Sequence, residues 1–188
     1  MNHRPQETGR AETRSSRGSC FRMTRLSALL LLFGVTVCLG ATNAFAEPTI
    51  FLVRHAERAA TSGRVPSDTG LSAAGKARAQ DLAQELRDAK ITAIFTTEYK
   101  RTKETALPLA RSSGIRPEVV AADDLRALIA KLKGARGNVL VVGHSNTLPP
   151  ILNALGISSR VIVSESDYDN LFLVVRTPRP QLIHLHYR

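Results

Sequence analysis

The chain has 188 residues, two cysteines and no tryptophan, with 5% aromatic residues and a formal net charge of +10. That length allows about one domain with a sizeable core, and the basic balance admits an anionic ligand, nucleic acid or an anionic membrane surface as partner. No Lys/Arg-rich run carries the interleaved aromatics that nucleic-acid grooves use, so nucleic acid is not an expected partner.

Residues 1–22 are polar and basic, without apolar periodicity. A basic start at Arg22 and Arg25, an apolar stretch from Leu26 to Ala41 and the small-x-small end Ala44-Phe45-Ala46 then give the layout of a secretory signal peptide, with cleavage expected after Ala46. The stretch is short for a membrane span, which needs roughly 20 residues. An uncleaved leader would tether the protein to the membrane. Val37 stands where a lipid-bearing Cys38 would need a small residue, and Met23 competes with Met1 as the start. The chain thus divides into residues 1–46, an extension plus leader, and residues 47–188, a single exported domain, periplasmic or secreted. From Glu47 onward 142 residues carry 20 Lys and Arg against 14 Asp and Glu. Cys20 and Cys38 both precede that point, so the domain has no disulfide, thiol nucleophile or cysteine-ligated metal.

Residues 49–53 are apolar and β-branched, which predicts a first strand. A loop rich in Gly, Ser, Pro and Asp follows. Ser72 is placed to cap a helix in which Ala79, Leu82, Ala83 and Leu86 recur at helical spacing. "ITAIFT", residues 91–96, predicts a second strand, and a helix over 100–112 stops at Gly114. "RPEVVA" predicts a third, weaker strand, and "DDLRALIAKLKGA" a helix opening on two aspartates. "NVLVVGH", residues 138–144, reads as a buried strand running into "SNTLPPILNALG". "NLFLVV" and "QLIHLHY" predict a strand pair at one sheet edge. Alternating β and α units imply an α/β layered fold with a mostly parallel sheet.

In such sheets ligands bind beyond the carboxyl ends of the strands. The first strand delivers Arg54 and His55 there, the second leads to Arg101, and the fourth delivers His144 and Ser145. Any one of these could be an ordinary loop residue. Together they place two imidazoles and two guanidiniums on one edge. Neutral imidazole is a competent nucleophile toward phosphorus. Arginine forks bind phosphoryl oxygens bidentately and stay charged at working pH. The inventory suits phosphoryl transfer without a metal or other cofactor. A zinc site lacks an HExxH or comparable ligand run, and His184 and His186, two apart on the last strand, read as structural or surface residues. "GHSNT" lacks the second glycine of a serine-hydrolase elbow.

"FLVRHAER", "IFTTEYKRTKETA" and "VLVVGHSN" resemble, in order, the three motif blocks of the histidine phosphatase superfamily, the phosphoglycerate mutase-like and acid phosphatase group. The likeness runs over about residues 49–155. It implies a three-layer α/β/α sandwich, a phosphorylated nucleophile at His55, and a phosphate pocket from Arg54, Arg101 and His144, with Arg58 matching an arginine of the acid phosphatase branch. Ser145 and Glu57 stand beside these residues as further phosphate or substrate contacts.

Two departures matter. Ala56 replaces the usual glycine, as in short bacterial members of the group, and would restrict the backbone if φ were positive there. No His-Asp pair supplies the acid that protonates the leaving group. Asp123 and Asp124 are the best placed candidates and Glu57 is another, although both aspartates also read as helix caps. Asp167 and Asp169 fit either a pocket rim or a turn. Small phosphohistidine phosphatases of the family lack that acid, because their leaving group is already good. Only 42 residues separate Arg101 from His144, which predicts an open pocket without a cap domain. The expected activity is hydrolysis of a small-molecule or exposed phosphorylated substrate. The competing expectation is a catalytically weak phosphate or polyanion-binding module.

Overall fold

A computed structural model describes residues 48–60 and 68–187. The extension, the expected leader with its cleavage point at Ala46, Met23, Cys20 and Cys38 lie outside the described residues, as does the middle of the first long loop.

Among the described residues six strands form one sheet in the order β3-β2-β4-β1-β5-β6. They are β1 (Thr49–Arg54), β2 (Ile91–Thr96), β3 (Glu118–Val119), β4 (Asn138–Gly143), β5 (Asn170–Val175) and β6 (Gln181–His186). The first four run parallel, and β5 and β6 are antiparallel additions beyond β1. The helices are α1 (Ala73–Glu85), α2 (Lys100–Ser113), α3 (Leu125–Gly134) and α4 (Leu148–Ala154).

The three layers follow from the two-residue period of a strand. Along β1, Ile50 and Leu52 face one side, with Val139 and Val141 of β4, and meet Leu128 and Leu132 of α3 and Leu148, Ile151 and Leu152 of α4. Phe51 and Val53 face the other side, with Leu140 and Val142, and meet Leu82 of α1 and Ala106, Leu109 and Ala110 of α2. Both faces of the central strands are covered, which is why those strands read as continuous apolar runs. Each fully buried leucine contributes on the order of 2 kcal/mol.

Local signals account for most element ends. The Ser72 side chain accepts from the Gly75 amide, capping α1. Gly114 closes α2 at φ 69°, a left-handed conformation that costs glycine nothing. The predicted third strand shrinks to Glu118 and Val119, because only these pair with β2. The helix α4 was not expected across Pro149 and Pro150. They sit in its first turn, where a missing N–H costs no intrahelical hydrogen bond. Between β2 and β4 lie only α2, β3 and α3.

Gly75 has a structural reason to be glycine. A Cβ there would lie 2.2 Å from the Glu57 carbonyl oxygen and 3.0 Å from its nitrogen. Helix α1 therefore rests directly on the backbone just past His55, and an alanine would push the two apart.

Candidate active site

Strand register brings the chemistry together. Arg54 pairs with Gly143 and Thr96 with Val142, so the chain leaves β1, β2 and β4 at the same level. The His55 amide donates to the Gly143 carbonyl at 2.9 Å, tying the two histidine-bearing turns to each other. Immediately beyond this edge lies a cavity of about 360 Å³, whose lining includes His55, Arg58, Arg101, His144 and Ser145.

The imidazoles of His55 and His144 stand with ring centroids 5.3 Å apart, in an edge-on arrangement. Both are buried, at 4% and 7% exposure. Burial is the main cause that holds each pKa down to about 4, and the surrounding guanidiniums push the same way. Both rings are thus neutral at pH 7. His55 Nδ1 lies 2.8 Å from the Ala56 carbonyl. A carbonyl only accepts, so Nδ1 carries the hydrogen and Nε2 the lone pair.

For His144, Nδ1 lies 3.5 Å from an Arg101 Nη2 that can only donate, and Nε2 lies 3.2 Å from Thr97 Oγ1. Nε2–H therefore donates to Thr97, which passes a hydrogen bond to Thr102 Oγ1 at 2.9 Å, and Thr102 donates in turn to the Tyr99 carbonyl at 2.8 Å. Arg101 also lies over the Tyr99 ring, 4.2 Å from its centroid. Desolvation and the neighbouring Arg58 push the Arg101 pKa below its ordinary value. Such crowding of cations is what an incoming anion relieves.

Ala56 is fully buried, its amide donates to Thr105 Oγ1 at 3.0 Å, and its φ is not positive. Alanine in place of glycine costs this backbone nothing, which answers the first departure.

Several expected site residues are placed elsewhere. Glu57 does not face the cavity: Arg78 of α1 holds it at 2.7 Å. Arg78 and the backbone outweigh partial burial and lower its pKa, so it neither contacts the cavity nor holds a proton to donate. Asp124 caps α3, its carboxylate accepting from the Ala127 amide at 2.8 Å, whereas Asp123 lines the cavity. Asp167 folds back on its own turn, accepting from the Ser164 amide at 3.1 Å, and Asp169 meets His186. His184 sits beside Asn170 Oδ1 at 2.6 Å. Among the described residues no three His, Cys, Asp or Glu side chains are grouped to hold a metal ion.

Arg54 turns its guanidinium toward the segment before β5. It donates to the carbonyls of Ser164 at 3.0 Å and Asp167 at 3.3 Å and to the Glu165 carboxylate at 2.7 Å, with the Tyr168 ring 4.2 Å away. Glu165 also lines the cavity, where Ser145 donates to its other carboxylate oxygen. Neither Glu165 nor Tyr168 was anticipated, since 164–169 has no periodicity and no motif spacing. Tyr99 had a signal, lying within the second motif block two residues before Arg101.

A model of the histidine phosphatase superfamily, branch 1, matches residues 50–128, from the second residue of β1 through the Arg101 turn to the first turn of α3. That stretch is similar to the histidine phosphatase superfamily and holds the first two of the three motif blocks. Over 70 residues it is 38% identical to the probable phosphoglycerate mutase GpmB of Yersinia enterocolitica, a match covering 36% of this chain and 33% of that protein. The chain therefore spans about a third of the length of that curated relative. In fold it is similar to a protein assigned as the phosphohistidine phosphatase SixA of Agrobacterium tumefaciens, with TM-score 0.54 and 24% identity over 73% of this chain and 97% of that one. A mycobacterial glucosyl-3-phosphoglycerate phosphatase gives TM-score 0.59 and 14% identity, covering 74% and 98%. These likenesses place the six-stranded sheet and its helices among histidine phosphatase folds.

Proposed function

We propose that the protein hydrolyses phosphomonoesters or phosphoramidates through a covalent phosphohistidine at His55, without a metal. One observation carries this reading: His55 is neutral, with its Nδ1 hydrogen committed to the Ala56 carbonyl and its Nε2 lone pair unprotonated. Nε2 attacks phosphorus, the bond from phosphorus to the leaving group breaks, and Arg101, Arg58 and His144 meet the charge on the equatorial oxygens. Water then attacks the phosphorylated imidazole, the P–N bond returns its electrons to Nε2, and phosphate leaves. A dianion beside His144 draws a proton onto Nδ1, converting that nitrogen from acceptor to donor.

Two carboxylates face the cavity, Asp123 and Glu165. The Ser145 hydrogen bond, then the Arg54 charge, hold the Glu165 pKa below its ordinary value, so Glu165 is ionised at neutral pH and does not supply a proton. Asp123 is the remaining candidate acid. This favours substrates that leave easily: aryl phosphates, or phosphoramidates whose nitrogen takes a proton from solvent. One protein of similar fold is assigned as a phosphohistidine phosphatase and another acts on glucosyl-3-phosphoglycerate, so both substrate classes are candidates here.

Incubation with a labelled aryl phosphate and acid-free quenching is expected to trap label on the protein as an acid-labile, alkali-stable adduct at His55, in the presence of a chelator. Absence of the adduct during turnover, or loss of turnover to the chelator, rules the mechanism out. Phosphate binding without any turnover would favour a binding module instead.

We further propose that the domain works outside the cytoplasm, on the sequence layout of Arg22–Ala46. Among the described residues no helix is long and apolar enough to cross a membrane. Mass spectrometry of protein recovered from its native compartment should find an N-terminus near Glu47. A chain retaining Leu26 to Ala41 would contradict export with cleavage.

A further inference from the structure

The contact between Glu165 and Arg54 has an unusual division of exposure. The Arg54 side chain is 2% exposed, while that of Glu165 is 77% exposed. A solvated carboxylate on a loop thus reaches to a guanidinium buried at the end of β1. Its second oxygen takes the Ser145 hydroxyl from the turn after β4. The carboxylate thereby bridges the two motif turns at the cavity that His55 also lines. Arg54 Nη1 is committed to backbone carbonyls of the same loop, and its buried Nε has no partner among the described residues. A buried guanidinium N–H without an acceptor costs stability.

On the reading that this cavity binds phosphate, we propose that the Glu165 carboxylate is a built-in occupant of the anion site. The phosphoryl group must displace it from Arg54 and Ser145, and Glu165 thereby selects which anions enter. Entry of an anion is a competition with Glu165. Glu165 is tethered, so it faces Arg54 at a high effective concentration that a free anion of equal charge cannot match. A carboxylate, a phosphodiester or another monoanion offers one charge and gains little by exchange. A phosphoryl dianion offers two charges and three oxygens. It can take both groups that Glu165 holds, Arg54 Nη2 and the Ser145 hydroxyl, while Arg101 and Arg58 line the same cavity. Only the dianion gains enough to move Glu165 aside. Once released, the side chain needs no new partner, since it already stands mostly in solvent.

Glu165→Gln keeps the shape and removes the charge at an exposed position, so the fold should survive it. The probes are inorganic phosphate at pH 8, where it is a dianion, and dimethyl phosphate, a monoanion, titrated calorimetrically into the full domain and the variant. Wild type is expected to bind phosphate and reject dimethyl phosphate. Glu165→Gln is expected to bind phosphate about tenfold more tightly and to admit dimethyl phosphate, with KM for an aryl phosphate falling correspondingly. Equal phosphate affinity in the two proteins overturns the proposal while leaving the phosphatase reading intact. A collapse of kcat with unchanged phosphate affinity overturns it too, and moves Glu165 into proton transfer. No phosphate binding by either protein brings down the phosphate site itself.

Discussion

His55→Ala is expected to reduce turnover of an aryl phosphate by at least about a thousandfold while leaving phosphate binding in place. Two of the guanidiniums around the site, Arg101 and Arg54, do not depend on the His55 ring for their positions. Arg101 rests on Tyr99 and reaches His144, and Arg54 is fixed by the carbonyls of Ser164 and Asp167. Removing the imidazole deletes the nucleophile and spares the anion site. The variant loses one hydrogen bond to the Ala56 carbonyl and leaves a small cavity, a cost of about 1–3 kcal/mol. The decisive measurement pairs steady-state hydrolysis with thermal protection by phosphate. Lost hydrolysis with retained protection supports nucleophilic catalysis by His55. Hydrolysis that survives in His55→Ala refutes it.

The second large effect is on pH. Both site histidines have folded pKa values near 4, against an ordinary value of 6.5. Above pH 6.5 each is neutral in the folded and unfolded states, and neither affects stability. As pH falls from 6.5 toward 4 the unfolded chain takes up protons that the folded rings refuse, so the fold is destabilised across that window. Each shift corresponds to roughly 3 kcal/mol by pH 4. Urea unfolding at pH 7.5 and pH 4.5 should therefore differ strongly in midpoint, and His144→Gln should reduce the difference. A midpoint independent of pH across that range would contradict the burial argument. Catalysis should follow the same groups. Expressed per dianionic substrate, the acid limb of kcat/KM, which reports the free enzyme, should fall near pH 4, and the limb of kcat should lie higher, because a bound dianion favours the imidazolium.

Much of this organisation is legible in the residues. The apolar run of β1, the Ser72 cap and the left-handed Gly114 are local signals, each tied to a nearby backbone requirement. Convergence of His55, Arg101 and His144 was legible for a topological reason. Parallel strands joined by right-handed crossovers share a carboxyl edge, so residues just past three such strands meet without any side-chain detail. The family motifs then fix their order. Glu57 shows where this kind of inference stops. It is adjacent to Ala56 and His55 in sequence, yet α1 crosses beneath it at Gly75 and offers Arg78, which turns it from the cavity. Asp123 and Asp124 are equivalent in composition, and one step of helix geometry makes the second a cap while leaving the first on the cavity wall.

Periodicity and short-range spacing suffice for the layered α/β class, the strand-end chemistry and the inventory of imidazoles and guanidiniums. Tertiary structure alone decided that Arg54 is held by a loop 110 residues away, and that Glu165 sits on Arg54 and Ser145. Segment 164–169 has no periodicity to announce its position, and its place is set by how β5 packs antiparallel on β1. The low histidine pKa values likewise belong to the assembled site, since burial by neighbouring elements, more than any residue beside them in the chain, removes the water that would stabilise the charged rings.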